Sequence, residues 1–200
     1  MTFGMLIAVA YLFGSIPFGV LVGKMRGFDP REVGSGNIGM TNVARAGGSS
    51  AAALTFIGDV LKGAIPVAFV KLMGYPPGII AWVALAAFIG AIASVFLGFS
   101  GGKGISAALG VWTVLAPIAL LFALAAFGIA LATSRIISLA SIIAAIVLVP
   151  AVALLTTHRA YVLLAIVMSA LAIIRHHENI RRLMAGEEKR FEIGSQAKAG

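Results

Sequence analysis

The 200-residue sequence has no cysteine, which excludes disulfides, thiol nucleophiles and cysteine metal sites together. It is also short of charge. Only 11% of its residues are Asp, Glu, Lys or Arg while 60% are apolar, whereas a soluble domain is about a quarter charged and roughly half apolar. With a mean hydropathy of +1.06, such a chain cannot cover a water-facing surface and reads as an all-α integral membrane protein. The first positive charge is Lys24, so the opening apolar run lacks the basic start of a cleaved signal peptide and reads as a first transmembrane helix. No inverted repeat of the transporter kind is visible. His176 and His177 are adjacent rather than i, i+4, and no H-E-x-x-H occurs, so no metal site is expected. The chain reads as a single domain, 1–200, with a polar tail over about 185–200 expected to fray.

What is present is a series of apolar runs. A spanning helix needs about 20 residues to cross roughly 30 Å of hydrocarbon, and such runs cover 3–23, 52–72, 78–97, 137–156 and 160–174. Residues 104–132 are too long for one span and short for two, but Pro117 interrupts them, and proline breaks a helix by removing an N–H and clashing with the preceding turn. Treating this stretch as a tight pair of short helices gives seven transmembrane helices. Lys24, Arg26, Arg31, Arg45, Lys103, Arg135, Arg175, Arg181, Arg182, Lys189, Arg190 and Lys198 then share one side, leaving Lys71 and Arg159 on the other. The positive-inside rule sets the N-terminus outside and the C-terminus in the cytoplasm. The net charge of +8 is thus mostly a topology signal. It favours anionic lipid or a small anionic substrate over nucleic acid.

Polar segments gather on that basic side. VGSGNIGMTNVARAGG (33–48) carries Ser35, Asn37, Thr41, Asn42 and Arg45; its Gly34, Gly36 and Gly39 satisfy G-x-G-x-x-G. A dinucleotide fingerprint needs a preceding strand, and a membrane helix precedes this one, so the match is a coincidence of spacing. The physics survives: glycines let backbone N–H groups approach an anion. LGFSGGKGIS (97–106) offers Lys103 among glycines, but Leu97 and Gly104 occupy positions where a Walker A loop needs Gly and Ser or Thr. SRIISLAS carries Ser138 and Ser141, and RHHENIRRLMAG carries His176 and Asn179 at an i, i+3 spacing that puts them on one helix face. Arg181 and Arg182 read as contacts to lipid headgroups. Asp59 and Lys62 of GDVLKG lie inside the second span, where an ion pair of structural role is expected, with Arg45 nearby. Converging at one membrane–water boundary, these groups describe a pocket for a phosphorylated, water-soluble molecule beside a lipid-soluble one.

GSGNIGMTNVAR, GGKGIS and HHENIRRLMAGEE resemble, in order, the three signature segments of the bacterial acyl-phosphate:glycerol-3-phosphate acyltransferases, and the resemblance extends over essentially the whole chain. Met40 stands where the family usually has Ala, and His177 where Arg is common; His176 is therefore the carried-over histidine. The resemblance implies transfer of a fatty acyl group from acyl phosphate to the 1-hydroxyl of glycerol 3-phosphate. The products would be lysophosphatidic acid and phosphate, formed at the cytoplasmic face of a bacterial inner membrane. It implies catalytic roles for His176, Ser141 and Lys103, and substrate contacts from Ser35, Gly36, Asn37, Thr41, Asn42, Arg45, Gly101, Gly102, Gly104, Ser138 and Asn179. Ser35, Arg45, Lys103 and Asn179 would take phosphate and hydroxyl recognition; Ser141 and His176 would orient the donor phosphate or relay the proton. Neither metal nor organic cofactor is implied. Membrane lipids are the other expected partners, and the oligomeric state, a monomer included, is left open.

The His/Asp dyad of other glycerolipid acyltransferases is missing, since His158, His176 and His177 are followed five positions later by Leu163, Arg181 and Arg182. No G-x-S-x-G elbow occurs either. An acyl phosphate is already activated, so positioning and charge stabilisation can supply most of the catalysis. Two routes for the hydroxyl proton stay open, one through His176 and one through the donor's own phosphate; the second is favoured because no acidic partner for His176 is evident. The reading from another class is a small anion or metabolite transporter. It is disfavoured because the polar groups sit at one end of the spans rather than at the midplane.

Overall fold

The computed structural model describes residues 2–191, and every regular element among them is helical apart from a single bridge between Ser94 and Ser100. Helices α1 (Phe3–Gly14) and α2 (Phe18–Met25) form one apolar stretch of 23 residues broken ahead of Pro17. A break inside a bilayer frees carbonyls that need donors. Ser94 Oγ supplies one to Ser15 O at 2.6 Å and Lys62 Nζ another to Ile16 O at 3.2 Å. Lys62 is held by Asp59 at 2.7 Å, both residues buried. The intrahelical pair expected from GDVLKG is therefore formed, and its work is to mend the break in its neighbour.

Helix α3 (Met40–Leu72) runs for 33 residues but kinks at Gly48, whose φ of 74° and ψ of −174° are non-helical. Its first two turns, carrying Arg45, thus leave the axis of the spanning part. Helix α4 (Pro77–Ile92) is followed by a 3-10 turn, Val95–Leu97. The apolar run continues to Leu97, but the helix stops five residues earlier. The chain reverses there: the Ser94 N–H donates to Ser100 O at 2.9 Å and the Gly102 N–H to Ala91 O at 3.2 Å. Helix α5 (Ile105–Leu115) ends at Ala116, and α6 (Pro117–Ser134) starts with Pro117 at its first position, where a missing N–H costs nothing. Helices α7 (Ile137–Leu155) and α8 (Arg159–Arg175) follow, and a 59° bend at His176 leads into α9 (His177–Met184).

Four stretches are long and apolar enough to cross a membrane, Phe3–Met25, Met40–Leu72, Pro117–Ser134 and Ile137–Leu155, and α8 with α9 makes a bent fifth. Helices α4 and α5 are apolar but shorter. The short helices are held by close backbone contact. A methyl group at Gly63 of α3 would run into the Ala107 backbone of α5, and one at Gly110 into Val60 of α3. Gly14 and Gly90 bring α1 and α4 together in the same way. Trp112, Phe88 and Met168 fill the remaining core and are almost wholly buried.

The tail departs from expectation. Residues 185–191 do not fray but fold back across the end of the bundle, where the Phe191 N–H donates to Arg135 O at 2.5 Å. Residues 192–200, Lys198 among them, lie outside the described residues.

Candidate active site

A cavity of about 1210 Å³ opens among α3, α5, α6, α7 and the α8–α9 bend. At its polar end it is lined by Ser35, Asn37, Thr41, Asn42, Arg45, Gly102, Lys103, Gly104, Ser138, Ser141, His176 and Asn179. Its far end is apolar, walled by Phe56, Leu124, Phe127, Leu148 and Met168. The separate sequence segments thus meet at one place, although their residues do not all face the space. Gly36 and Gly101 do not line it.

The first segment is organised by its own asparagines. Asn42 is buried, donates from Nδ2 to Pro30 O at 2.8 Å and Val33 O at 2.9 Å, and accepts the Ser35 N–H at Oδ1 at 2.9 Å. Its amide is engaged in shaping the loop that presents Ser35. Asn37 Oδ1 accepts the Gly39 N–H at 2.9 Å and so ties the loop to the start of α3. Gly34 and Gly36 take φ of 61° and 68°, a left-handed region that glycine enters at little cost.

The other three segments meet in a single network. Lys103 Nζ donates to Asn179 Oδ1. Asn179 Nδ2 donates to Glu188 Oε1 at 2.5 Å, Ser138 Oγ to the same oxygen at 2.7 Å, and Arg182 Nε to Glu188 Oε2 at 2.6 Å. Burial would raise the Glu188 carboxyl, but these bonds from Ser138, Asn179 and Arg182 outweigh it and hold it below the usual carboxylate range. Burial lowers the Lys103 ammonium to about 8, partly opposed by the Glu188 charge, so it is mostly protonated at neutral pH. Ser141 Oγ donates to Ile137 O one turn back at 2.9 Å, leaving its oxygen lone pairs to accept.

His176 sits beyond the end of α8 and is buried. Its Nδ1 is 2.8 Å from Ala172 O. A carbonyl only accepts, so the proton is assigned to Nδ1 and Nε2 keeps the lone pair. His177 is exposed and outside the cavity.

Sequence reasoning missed Glu188 and misread Arg182. The sequence points to a fraying tail and to Arg182 as a lipid contact, yet Arg182 follows Asn179 at i+3 on the inner face of α9 and both bond Glu188. The signal was present in the third segment, whose resemblance ran through GEE to Glu188. Among the described residues, no group of three His, Asp or Glu side chains is placed to hold a metal ion.

A family model described as glycerol-3-phosphate acyltransferase matches residues 4–186. The glycerol-3-phosphate acyltransferase of Trichlorobacter lovleyi is 50% identical over 187 residues, covering 93% of this chain and 96% of that one. That of Geobacter sulfurreducens is 46% identical, covering 94% and 96%. Among solved structures, the fold is similar to crystal structures of PlsY (YgiH), an integral membrane glycerol 3-phosphate acyltransferase. Its glycerol 3-phosphate form gives a TM-score of 0.91 and its lysophosphatidic acid form 0.89, each 39% identical and covering 96% of both chains.

Proposed function

The chain belongs to the glycerol-3-phosphate acyltransferase family, and on that premise we propose that it draws its acyl group from acyl phosphate and delivers it to the 1-hydroxyl. It is a multi-pass membrane acyltransferase of phospholipid synthesis that acylates glycerol 3-phosphate. The observation that carries the finer reading is the two-ended cavity, with Lys103 and Arg45 at a polar mouth and Phe56, Leu124 and Met168 at an apolar depth. Ser35, Arg45, Lys103 and Asn179 hold glycerol 3-phosphate. The acyl chain enters the apolar part, and Ser141 and His176 orient the donor phosphate. Phe56, Leu109, Leu120 and Leu124 also line a neighbouring apolar groove of about 460 Å³ on the outer surface of α3, α5 and α6. Such a shared wall suits an acyl chain that leaves sideways into lipid.

In the reaction the 1-hydroxyl oxygen attacks the acyl carbonyl carbon, the carbon–oxygen bond to phosphate breaks, and inorganic phosphate leaves. The hydroxyl proton passes to the departing phosphate. The His176 ring is held by the Ala172 carbonyl rather than by an acid, which favours the substrate-assisted route over His176 as base. The fold is read as seven spans, counting α4 and α5, with the N-terminus outside. The basic loops and the site then face the cytoplasm across the bacterial inner membrane. A donor panel tests the central claim. Purified protein with labelled glycerol 3-phosphate makes lysophosphatidate from acyl phosphate; equal or better turnover with acyl-CoA or acyl carrier protein would overturn the donor assignment.

A further inference from the structure

Arg175, the last residue of α8, reads in the sequence only as a cytoplasmic charge, and it does not line the cavity. Its guanidinium instead spans more than seventy residues of sequence to reach the loop ahead of α5. Nη2 donates to Gly101 O at 2.7 Å and Nε to Gly102 O at 3.3 Å. The loop is tied on its other side to α4, through the Gly102 N–H on Ala91 O at 3.2 Å and the Ser94 N–H on Ser100 O at 2.9 Å. Gly101 itself is wedged against the end of α4, where an added methyl group would stand 2.6 Å from the Ile92 carbonyl carbon.

The consequence is a fixed orientation for two successive peptide planes. The Gly101–Gly102 peptide is held at both ends, its carbonyl by Arg175 and its amide by Ala91. The Gly102–Lys103 peptide has its carbonyl on Arg175, and because no peptide bond among the described residues is cis its N–H points the opposite way. Were that plane to turn over, a carbonyl oxygen would replace the amide hydrogen beside Lys103, and the negative end of the dipole would repel an anion bound there. The guanidinium suits this task because its Nε–H and Nη–H form a rigid, permanently charged fork that meets two acceptors at once. A lysine ammonium offers a single point charge on a flexible stem.

We propose that Arg175 is a positioning residue for the acceptor substrate: by holding the Gly101 and Gly102 carbonyls it sets the glycine loop so that Lys103 and its peptide N–H meet the phosphate of glycerol 3-phosphate. This rests on the assignment of Lys103 to that phosphate in the preceding section. Arg175 acts through the loop and touches neither substrate.

The test is steady-state kinetics on purified full-length protein with acyl phosphate and glycerol 3-phosphate varied separately. Arg175→Ala raises the KM for glycerol 3-phosphate about tenfold or more, the scale of losing a charged hydrogen-bond pair. It leaves kcat and the acyl phosphate KM within roughly threefold of wild type. Arg175→Lys falls between, and millimolar guanidinium in the assay lowers the raised KM of Arg175→Ala without affecting wild type. Arg181→Ala, which removes an equal charge from the exposed face of α9, keeps wild-type constants and separates positioning from topology. An unchanged KM for glycerol 3-phosphate would overturn the proposal. So would a joint decline of kcat and both KM values that guanidinium does not repair. If Arg175→Ala does not fold, Arg175→Lys carries the comparison, and a wild-type KM for it would likewise overturn the proposal. Failure of the wild type to make lysophosphatidate from acyl phosphate would count against the donor assignment, and not against the role of Arg175.

Discussion

His176 is held by a backbone carbonyl rather than by an acid, with Nδ1 on Ala172 O. Its expected service is therefore to orient the donor phosphate through Nε2, whose lone pair accepts the O–H of a protonated phosphate oxygen. Purified His176→Ala should retain measurable turnover well above background, with a raised acyl phosphate KM; a kcat at background with both KM values unchanged would instead identify it as the base. Lys103 carries its charge below about 8 and loses it as the pH rises through that value. Anion binding follows that charge, so the KM for glycerol 3-phosphate should stay flat up to about pH 8 and then climb by up to about tenfold per unit, a climb absent in Lys103→Arg. Ser35, Lys103, Ser138, Ser141, His176 and Asn179, which the structure brings to one cavity, stand out in the sequence because they sit in short segments whose chemistry suits a phosphate. The contacts of Arg175, Arg182 and Glu188 do not, because their partners are other side chains or backbone carbonyls that only the fold brings near.

At the scale of elements, most boundaries follow from local rules. Pro117 divides α5 from α6, and the broken first span follows Pro17. Two boundaries do not follow. Helix α4 ends at Ile92 within a continuing apolar run, because the glycine loop needs the carbonyl of Ala91 and the bridge at Ser94. Helix α3 kinks at Gly48, one of two adjacent glycines, and the sequence does not say which of them leaves the helical region. The contact of α3 with α5, like that of α1 with α4, is sensitive to added bulk, since Gly63 and Gly110 meet backbone directly. Gly110→Leu should destabilise the protein by about 1–3 kcal/mol or force the helices apart, read as a lower unfolding temperature in detergent together with lost activity. Gly128→Leu, where nothing stands within 4 Å of the added carbon, should leave both unchanged.

For the whole molecule, the absence of cysteine makes topology directly testable. Single cysteines at Glu32 and Ser134 should react with a membrane-impermeant maleimide only in inside-out vesicles, and one at Tyr75 only in right-side-out vesicles. Labelling of Glu32 and Tyr75 from the same side would overturn the seven-span orientation. Acid should loosen the closed end of the bundle. The Glu188 carboxyl is held below its usual range, so its contribution is present at neutral pH and is lost as the pH falls through the carboxylate range. Glu188→Gln should remove that acid sensitivity while lowering stability at pH 7, measured as unfolding temperature against pH.

Composition and order along the chain set the class, the apolar helices, the side on which charge gathers and the three segments proposed to handle phosphate. Each of those depends on composition or on neighbours along the chain: apolar length against bilayer thickness, proline against helix, glycine beside an anion. Tertiary structure alone decided that Asp59 and Lys62 repair the break before Pro17. It also decided that the tail folds back to put Glu188 between Ser138, Asn179 and Arg182, and that Arg175 grips the glycine loop. The physical reason is common to all three. Where water is excluded, each buried charge and freed carbonyl needs a partner, and that partner is chosen by the packing of distant helices.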